Sequence, residues 1–239
     1  MVVEILFQEV CGLYGDSQNA TYLQATLPDA QFVFTRLCDT PYFVENKPDL
    51  IYIGCMSEAT QRRVIEKLTP HKDRIMELVE SGTPILATGN AGEIFAKEIN
   101  YVTERLTVVG LGIFDLTVKT DLFKRFNGMV LGALEDLEIV GFRSQFSFLY
   151  GDNTKNYFVQ CIRGEGINKE SKLEGMRKNN LICTQMIGPI LPLNPLFCEY
   201  FIGLSGVQAT AAYKETAMAA YKQRLQEFHD PKVSFAVHA

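Results

Sequence analysis

Two short apolar runs, each ending at a glycine, are the strongest constraint that this chain places on its fold. Residues 50–53 (LIYI) precede Gly54, and residues 85–88 (ILAT) precede Gly89. Such continuous runs are typical of parallel strands buried on both faces. The segment 57–81 between them has helical periodicity. This strand–helix–strand order predicts an α/β sheet whose functional edge lies at the carboxyl ends of its strands.

The rest of the chain divides into two halves of different character. Apolar runs at 2–9 and 31–35 continue the strand pattern of the first half. Short strand candidates follow each other closely in the second half, which favours antiparallel pairing there; they lie at 108–114, 128–131, 137–142 and 157–161, with a last strand at 181–187. An Ala-rich amphipathic helix is expected at about 209–228. We predict one α/β domain over residues 1–239.

The turn at 88–92 (TGNAG), which follows the second run, admits several interpretations. A phosphate-binding loop would need a Lys-Ser/Thr pair after the glycines, and a dinucleotide fingerprint would follow the first strand. A nucleophile elbow has this strand–turn–helix layout, with a helix expected from Glu93 onward. However, neither Gly89 nor Asn90 carries a nucleophilic side chain. A tight turn without chemistry is the remaining interpretation.

Charge, hydropathy and cysteine usage exclude several classes of function. The net charge of −5 argues against a nucleic-acid partner, and no apolar run reaches the roughly 18 residues of a membrane span. Glu4 stands where a signal peptide would be basic. The six cysteines form no C-x-x-C pair, and the histidines (71, 229 and 238) lie far from them in sequence. We therefore expect a cytoplasmic protein with reduced thiols, without a metal or cofactor.

Several motifs together resemble one protein family. The matching segments are LYGDSQN at 13–19, DLIYIG at 49–54, GTPILA at 82–87, GLGIFD at 110–115, EGMR at 174–177 and GPILPLNP at 188–195. They are similar to class I glutamine amidotransferase domains of the cobyric acid synthase type, and most like the small glutaminase subunits of lipid II isoglutaminyl synthases. The resemblance implies a flavodoxin-like three-layer sandwich with a mostly parallel central sheet and additional antiparallel strands in the second half. It also implies glutamine hydrolysis, with ammonia passed to a synthetase partner that resembles a Mur ligase.

The sequence departs from this family where the resemblance places the catalytic residues. The family motif A-x-C-G-G-Y-Q-L-L puts the nucleophilic cysteine on Gly89, or on Asn90 after a one-residue slip. The catalytic histidine of T-Y-L-H-G-P falls on Ile187, and the family's G-G-G-Q-D loop reads GCMSE at 54–58. Amide hydrolysis by this route needs a thiolate nucleophile and an imidazole that activates it. The substitutions therefore predict a degenerate catalytic site.

Two functions from different classes remain open. The first is a non-catalytic binding or partner subunit. The second is a working enzyme. It would be either an active glutaminase that supplies ammonia to a Mur-ligase-like or cobyric-acid-synthase-like amidating enzyme, or a hydrolase with Cys55 or Cys183 as a relocated nucleophile. Each of these cysteines could equally be a small buried apolar residue. Homo-oligomerisation through the C-terminal helix is a further hypothesis.

The loops at the sheet edge supply the residues expected around a pocket. Asp16 could orient a ligand or cap its own turn, and Arg125 could hold a carboxylate or be solvated. The full set of pocket candidates is Asp16, Gly54, Cys55, Met56, Ala91, Arg125 and Gly188.

Overall fold

The computed structural model describes residues 1–237 and contains β-strands, α-helices and short 3-10 helices. The strands are β1 (Val2–Leu6), β2 (Gln31–Thr35), β3 (Leu50–Ile53), β4 (Ile85–Thr88), β5 (Ala96–Tyr101), β6 (Leu106–Val109), β7 (Phe114–Thr120), β8 (Phe126–Leu134), β9 (Leu137–Gln145), β10 (Ser147–Tyr150), β11 (Val159–Arg163), β12 (Leu173–Glu174), β13 (Met176–Lys178), β14 (Leu181–Thr184) and β15 (Ala236–Val237). The helices are α1 (Gln18–Thr26), α2 (Glu58–Leu68), α3 (Lys72–Glu80), α4 (Ile190–Leu193), α5 (Pro195–Gly203) and α6 (Lys214–His229). The 3-10 helices span Leu13–Gly15, Tyr42–Val44, Thr69–His71 and Gly89–Phe95.

The central sheet has the strand order β13-β14-β4-β3-β1-β2. All neighbours from β14 to β2 are parallel, and β13 pairs with β14 in the antiparallel sense. In the register of the sheet, Ile53 lies opposite both Leu6 and Ala87, and Thr184 lies opposite Thr88. The loops that follow these strands therefore begin at the same level, which confirms the predicted edge of parallel strands.

Side chains alternate between the two faces of the sheet and enter different apolar cores. Ile51 and Ile53 pack in one core with α2 and α3, whereas Leu50 and Tyr52 pack in the other with α1 and α5. This alternation is the two-residue period of a strand covered by helices on both sides. The three-layer α/β sandwich is confirmed.

The second half builds two further sheets that are mainly antiparallel. Strands β8 and β9 form a long hairpin with paired residues from Phe126–Gln145 to Leu134–Leu137, and β11 pairs with β8 on its other side. A separate sheet has the order β10-β7-β5-β6, in which the β5–β7 pair is parallel. The additional antiparallel strands are thus confirmed, with the β5–β7 pair as an exception. The expected strand at 108–114 is wrong, because β6 ends at Val109 and β7 begins at Phe114.

The helix expected from Glu93 onward is also wrong. The 3-10 helix at Gly89–Phe95 runs directly into β5. The backbone N–H groups of Leu111 and Ile113 donate to the carbonyls of Ile94 and Phe95, at 2.8 and 2.9 Å. These carbonyls are therefore not available to an α-helical ladder. Ala91, Ile94 and Phe95 are buried, and so is the polar Glu93, so the segment does not have the exposed polar face of a surface helix.

The C-terminal helix begins at Lys214, later than the expected 209. The N–H of Ala211 donates to Glu199 Oε1 at 2.8 Å and that of Ala212 to Thr26 Oγ1 at 3.1 Å, so tertiary contacts replace helical bonds there. Tyr213 then has a left-handed φ of 53°. Tyr221 and Phe228 of α6 pack on β8 and β9 of the same chain. No helix within residues 1–237 has both the length and the apolar character to cross a membrane.

The aromatic cluster under α5 allows a test of the packing. Phe197 is fully buried, with ring centroids 5.3 Å from Phe158 and 6.4 Å from Phe201. We expect Phe197→Ala to lower the free energy of unfolding by about 3–5 kcal/mol, because it removes a buried ring and leaves a cavity. The matched control, Phe123→Ala, removes a ring that is 86% exposed and should change it by less than about 0.5 kcal/mol. Urea unfolding of both variants measures the difference; similar losses would contradict this packing.

Candidate functional site

A buried carboxylate, Asp16, ties together the loops at the edge of the sheet. Its Oδ2 accepts hydrogen bonds from the Cys55 N–H at 2.9 Å and from the Thr88 hydroxyl, and its Oδ1 accepts one from Asn19 Nδ2 at 2.8 Å. The Tyr52 hydroxyl donates to the Asp16 carbonyl at 2.9 Å. Burial raises the pKa of Asp16, while these hydrogen bonds oppose the shift. Asp16 is wholly buried among these groups, so its carboxylate acts as a structural anchor.

Gly89 retains the backbone of an elbow but has no room for a side chain. Its φ is +59°, a left-handed conformation that disfavours residues with a Cβ. A Cβ at this position would lie 2.4 Å from the Cβ of Cys55 and 2.9 Å from Cγ2 of Ile187. The side chains of Cys55 and Ile187 therefore fill the space into which a nucleophile would project.

Asn90, the other possible nucleophile position, is held by the neighbouring loop. Its Nδ2 donates to the Met56 carbonyl at 2.8 Å, and its Oδ1 accepts from the Met56 N–H at 2.9 Å. This pair of bonds joins the loop after β3 to the loop after β4. Asn90 thus fixes the two loops relative to each other.

Within residues 1–237, no histidine forms a hydrogen bond with the Cys55 thiol. The thiol donates to the Leu13 carbonyl at 3.1 Å. Burial, together with the charge of Asp16, raises the pKa of Cys55 well above its usual range. The thiolate is the nucleophilic form, and this environment disfavours it. Cys183 is fully buried on β14, where burial likewise raises the pKa of its thiol.

The two histidines that the structure describes are engaged elsewhere. The ring of His71 lies 6.3 Å from the ring of Phe43, and His229 Nε2 is 2.9 Å from Glu138 Oε1. His238 lies outside the described residues. Among residues 1–237, no group of three or more histidine, cysteine and acidic side chains could hold a metal ion.

A cavity of about 230 Å³ opens at this edge of the sheet. Its lining consists of Leu13, Tyr14, Cys55, Met56, Ser57, Glu58, Gly89, Asn90, Glu93, Arg125, Ser144, Gln145, Phe146, Ser147, Gln185 and Ile187. The structure therefore brings together the family's two catalytic positions and three of the pocket candidates, namely Cys55, Met56 and Arg125. We call this space the edge cavity.

Four pocket candidates do not line the edge cavity. Asp16 is turned toward its hydrogen-bond partners, and Ala91 is buried in the apolar core behind the elbow. Gly54 packs against backbone, since a Cβ there would lie 2.6 Å from the Cys11 carbonyl oxygen. Gly188 occupies a left-handed turn, with a φ of +82°, beyond Ile187.

Glu93 is the main site residue that the sequence reasoning missed. It lines the edge cavity and accepts hydrogen bonds from the Ser147 hydroxyl, from Gln61 Nε2 at 3.0 Å and from Gln185 Nε2 at 3.3 Å. Burial raises the pKa of Glu93 to about 7, and these hydrogen bonds limit the rise. The sequence could have indicated this residue, because the family motif A-x-C-G-G-Y-Q-L-L has Gln at the position of Glu93.

A buried guanidinium supports the polar wall behind Glu93. Arg143 Nη2 donates to Gln185 Oε1 at 2.6 Å, and its Nη1 donates to the carbonyls of Glu165 and Gly166 at 2.9 and 2.7 Å. Glu174 accepts from the Gln185 N–H at 2.8 Å. Burial lowers the pKa of Arg143, whereas the negative charge of Glu174 opposes this shift. Gln185 thus connects two buried, oppositely charged groups to Glu93.

Arg125 also lines the edge cavity. Its Nη2 donates to the Tyr14 hydroxyl at 2.8 Å, and its guanidinium carbon lies 4.7 Å from the centre of the Phe146 ring. Guanidinium groups suit carboxylates and phosphates. The lining of the edge cavity therefore includes a carboxyl group, Glu93, and a cation, Arg125, which suits a small polar ligand.

Comparisons with known proteins agree on the fold. The chain is 30% identical over 193 residues to the GatD subunit of lipid II isoglutaminyl synthase (glutamine-hydrolyzing) from Staphylococcus aureus strain N315, covering 80% of this chain and 78% of that protein. It is similar to a crystal structure of a glutamine amidotransferase, with a TM-score of 0.58 and 16% identity over 87% of this chain and 100% of the other. It is also similar to a chain of PurLQS from Thermotoga maritima, with a TM-score of 0.54 and 11% identity over 94% and 98% of the two chains. No protein-family model matches the sequence.

The packing around Gly89 gives a prediction about stability. We expect Gly89→Ala to lower the free energy of unfolding by roughly 2–4 kcal/mol, from the left-handed backbone and the clash with Cys55. Adding Cys55→Gly should recover part of this loss, because it removes the nearer clash. The control Gly203→Ala meets no atom within 4 Å and has no left-handed φ. Chemical denaturation of the variants checks this expectation; equal stability of Gly89→Ala and the wild type would contradict it.

The raised pKa of Glu93 predicts a pH dependence of stability. A carboxyl group with a higher pKa in the folded state stabilises the fold below its unfolded pKa, and this contribution is lost as the pH rises through the folded pKa of about 7. Relative to Glu93→Gln, the wild type should therefore lose about 3 kcal/mol of unfolding free energy between pH 4 and pH 8. Urea titrations across this range measure it. A constant difference between the two proteins would contradict the prediction.

Proposed function

Because the chain belongs to the class I glutamine amidotransferase family, we propose that it keeps this family's role as a ligand-binding and partner subunit but does not hydrolyse glutamine. The observation that carries the proposal is the steric arrangement at the elbow. Gly89 has no space for a nucleophile, since Cys55 and Ile187 occupy it. The three residues that differ from the family motifs, Gly89, Cys55 and Ile187, thus pack against one another.

The chemistry of the remaining groups supports the absence of glutaminase activity. A thioester route needs a thiolate and a base that moves protons to the leaving ammonia. Ile187 provides no such base, and the raised pKa of Cys55 keeps its sulfur protonated. Loss of a nucleophile or its base lowers catalysis by several orders of magnitude. An active glutaminase that uses Cys55 would lack the group that activates it.

The partner role rests on the relative from S. aureus, which is named as a subunit of a synthase. By analogy, we propose that this chain assembles with an amidating enzyme that resembles a Mur ligase. Leu13 and Tyr14 provide apolar surface beside the edge cavity, with 43% and 48% of their areas exposed. Exposed apolar residues next to a cavity are suited to a protein interface.

Co-expression with a Mur-ligase-like protein from the same organism tests the partner role. We expect the two to elute together in size-exclusion chromatography and the Leu13→Ser/Tyr14→Ser variant to elute alone. Lys97→Gln, which alters an exposed residue remote from the edge cavity, is the control and should elute with the partner. Separate elution of the wild-type chains would contradict this part of the proposal.

A glutaminase assay tests the catalytic part. We expect no release of glutamate above background from the wild type, alone or with its partner, and no labelling of Cys55 by a diazo-ketone analogue of glutamine. The measurement is glutamate release together with mass spectrometry of the treated protein. Glutamate release that Cys55→Ser abolishes would instead establish the active-glutaminase alternative.

A variant designed to regain glutaminase activity tests the steric argument directly. The Gly89→Cys/Cys55→Gly/Ile187→His variant supplies a thiol and an imidazole and vacates the space that the thiol needs. We expect it to hydrolyse glutamine faster than the wild type. The Gly89→Cys/Cys55→Gly variant, which lacks the imidazole, is the matched control and should stay near the wild-type level.

A further inference from the structure

A second cavity, of about 470 Å³, adjoins the edge cavity. Arg125 and Phe146 line both spaces, so they form the wall between them. The lining of the second cavity is Val102, Lys119, Asp121, Lys124, Arg125, Phe126, Phe146, Phe148, Tyr150, Asn168, Lys169 and Glu170. We call it the basic cavity. It lies against the sheet that contains β7 and β10, and no residue of the elbow lines it.

Aromatic rings provide the apolar surface of the basic cavity. The rings of Phe126 and Phe148 lie 5.4 Å apart, and Phe146 and Tyr150 extend this surface. The guanidinium carbon of the buried Arg143 lies 5.3 Å from the Phe126 ring centre, so a positive charge also stands behind the aromatic surface. Ring faces of this kind stack on planar ligands.

Positive charges surround these rings. Lys119 Nζ lies 4.6 Å from the centre of the Tyr150 ring. In the described part of the chain, no acidic side chain forms an ion pair with Lys119, Arg125 or Lys169. Lys124 pairs with Asp121 at 3.1 Å, and Glu170 adds the remaining negative charge. The cavity therefore has a net positive charge in a chain whose overall charge is −5.

The basic groups stand on ordered backbone. Lys119 lies on β7 directly opposite Phe148 of β10. Lys169 lies in a turn that Asn168 holds, because its Nδ2 donates to the Leu149 carbonyl at 2.8 Å and its Oδ1 accepts from the Glu170 N–H at 3.0 Å. Cations on a preformed framework lose less entropy when a ligand binds.

We propose that the basic cavity binds a nucleoside phosphate, with the base on the aromatic surface and the phosphates near Lys119, Lys169 and Arg125. Several separate cations suit a ligand with more than one negative charge. The volume suffices for a ring with its phosphates, since ligand sites commonly span about 300–1,000 Å³. Binding there requires neither glutamine chemistry nor the altered elbow, although the basic cavity shares Arg125 and Phe146 with the edge cavity.

Isothermal titration calorimetry of the intact chain with ADP and with UDP tests the proposal. We expect at least one nucleotide to bind at micromolar concentration, with weaker binding at high salt. Lys119→Gln and Lys169→Gln should each weaken it about tenfold, because each removes a charged contact to phosphate. Tyr150→Leu should weaken it as well. The control Lys97→Gln removes a positive charge outside the cavity and should bind as the wild type does.

The comparison ligands separate this proposal from simpler explanations. Adenosine and pyrophosphate each provide half of the recognition and should bind at least tenfold more weakly than ADP. Equal binding of pyrophosphate and ADP would mean an adventitious ion only and would overturn the proposal. The absence of binding of both nucleotides at millimolar concentration would also overturn it. So would unchanged nucleotide binding by the double variant Lys119→Gln/Lys169→Gln, provided that circular dichroism shows that the variant and the wild type are both folded.

Discussion

The buried carboxylate of Asp16 is the interaction on which the site depends. Parallel strands leave their carboxyl-end loops without ladder partners, so those loops need other hydrogen bonds. Asp16 supplies them by accepting from the loop after β3 and from Thr88 at the end of β4. Asn19 extends the anchor, because its Oδ1 accepts from the Leu191 N–H at 2.9 Å. The position of the elbow is therefore set by a structural carboxylate and does not need a catalytic residue.

The packing at the elbow is consistent with the proposed loss of catalytic chemistry within an intact fold. A left-handed turn normally strains the residue that carries a nucleophile. Glycine at position 89 removes this strain, and the side chain of Cys55 takes up the released volume. The substitution at 55, where the family has glycine, and that at 89 are thus sterically complementary. Restoring one without the other would create either a clash or a void.

The sequence predicted the scaffold better than the cavity. The runs at 50–53 and 85–88 have one strong physical signal, burial on both faces, and β3 and β4 have those bounds. The prediction of a helix from Glu93 onward was wrong because local periodicity does not reveal the tertiary hydrogen bonds of that segment. Asp16 is likewise a polar residue in a turn, and only the fold reveals that its carboxylate points into the protein. The basic cavity joins residues from separate loops and strands, which no local pattern brings together.

The polar wall of the edge cavity, formed by Glu93 and Gln185 and supported by Arg143, lowers the stability of the fold. A buried carboxyl group and a buried guanidinium lose hydration, and apolar side chains of similar volume often stabilise a protein more. Each guanidinium nitrogen of Arg143 and each carboxyl oxygen of Glu93 nevertheless has a hydrogen-bond partner, and Gln185 joins the two groups. Nucleophilic attack does not explain this arrangement, since Gly89 offers none. A polar wall that is costly, ordered and open to a cavity is best explained by recognition of a ligand, which supports a binding role for this chain.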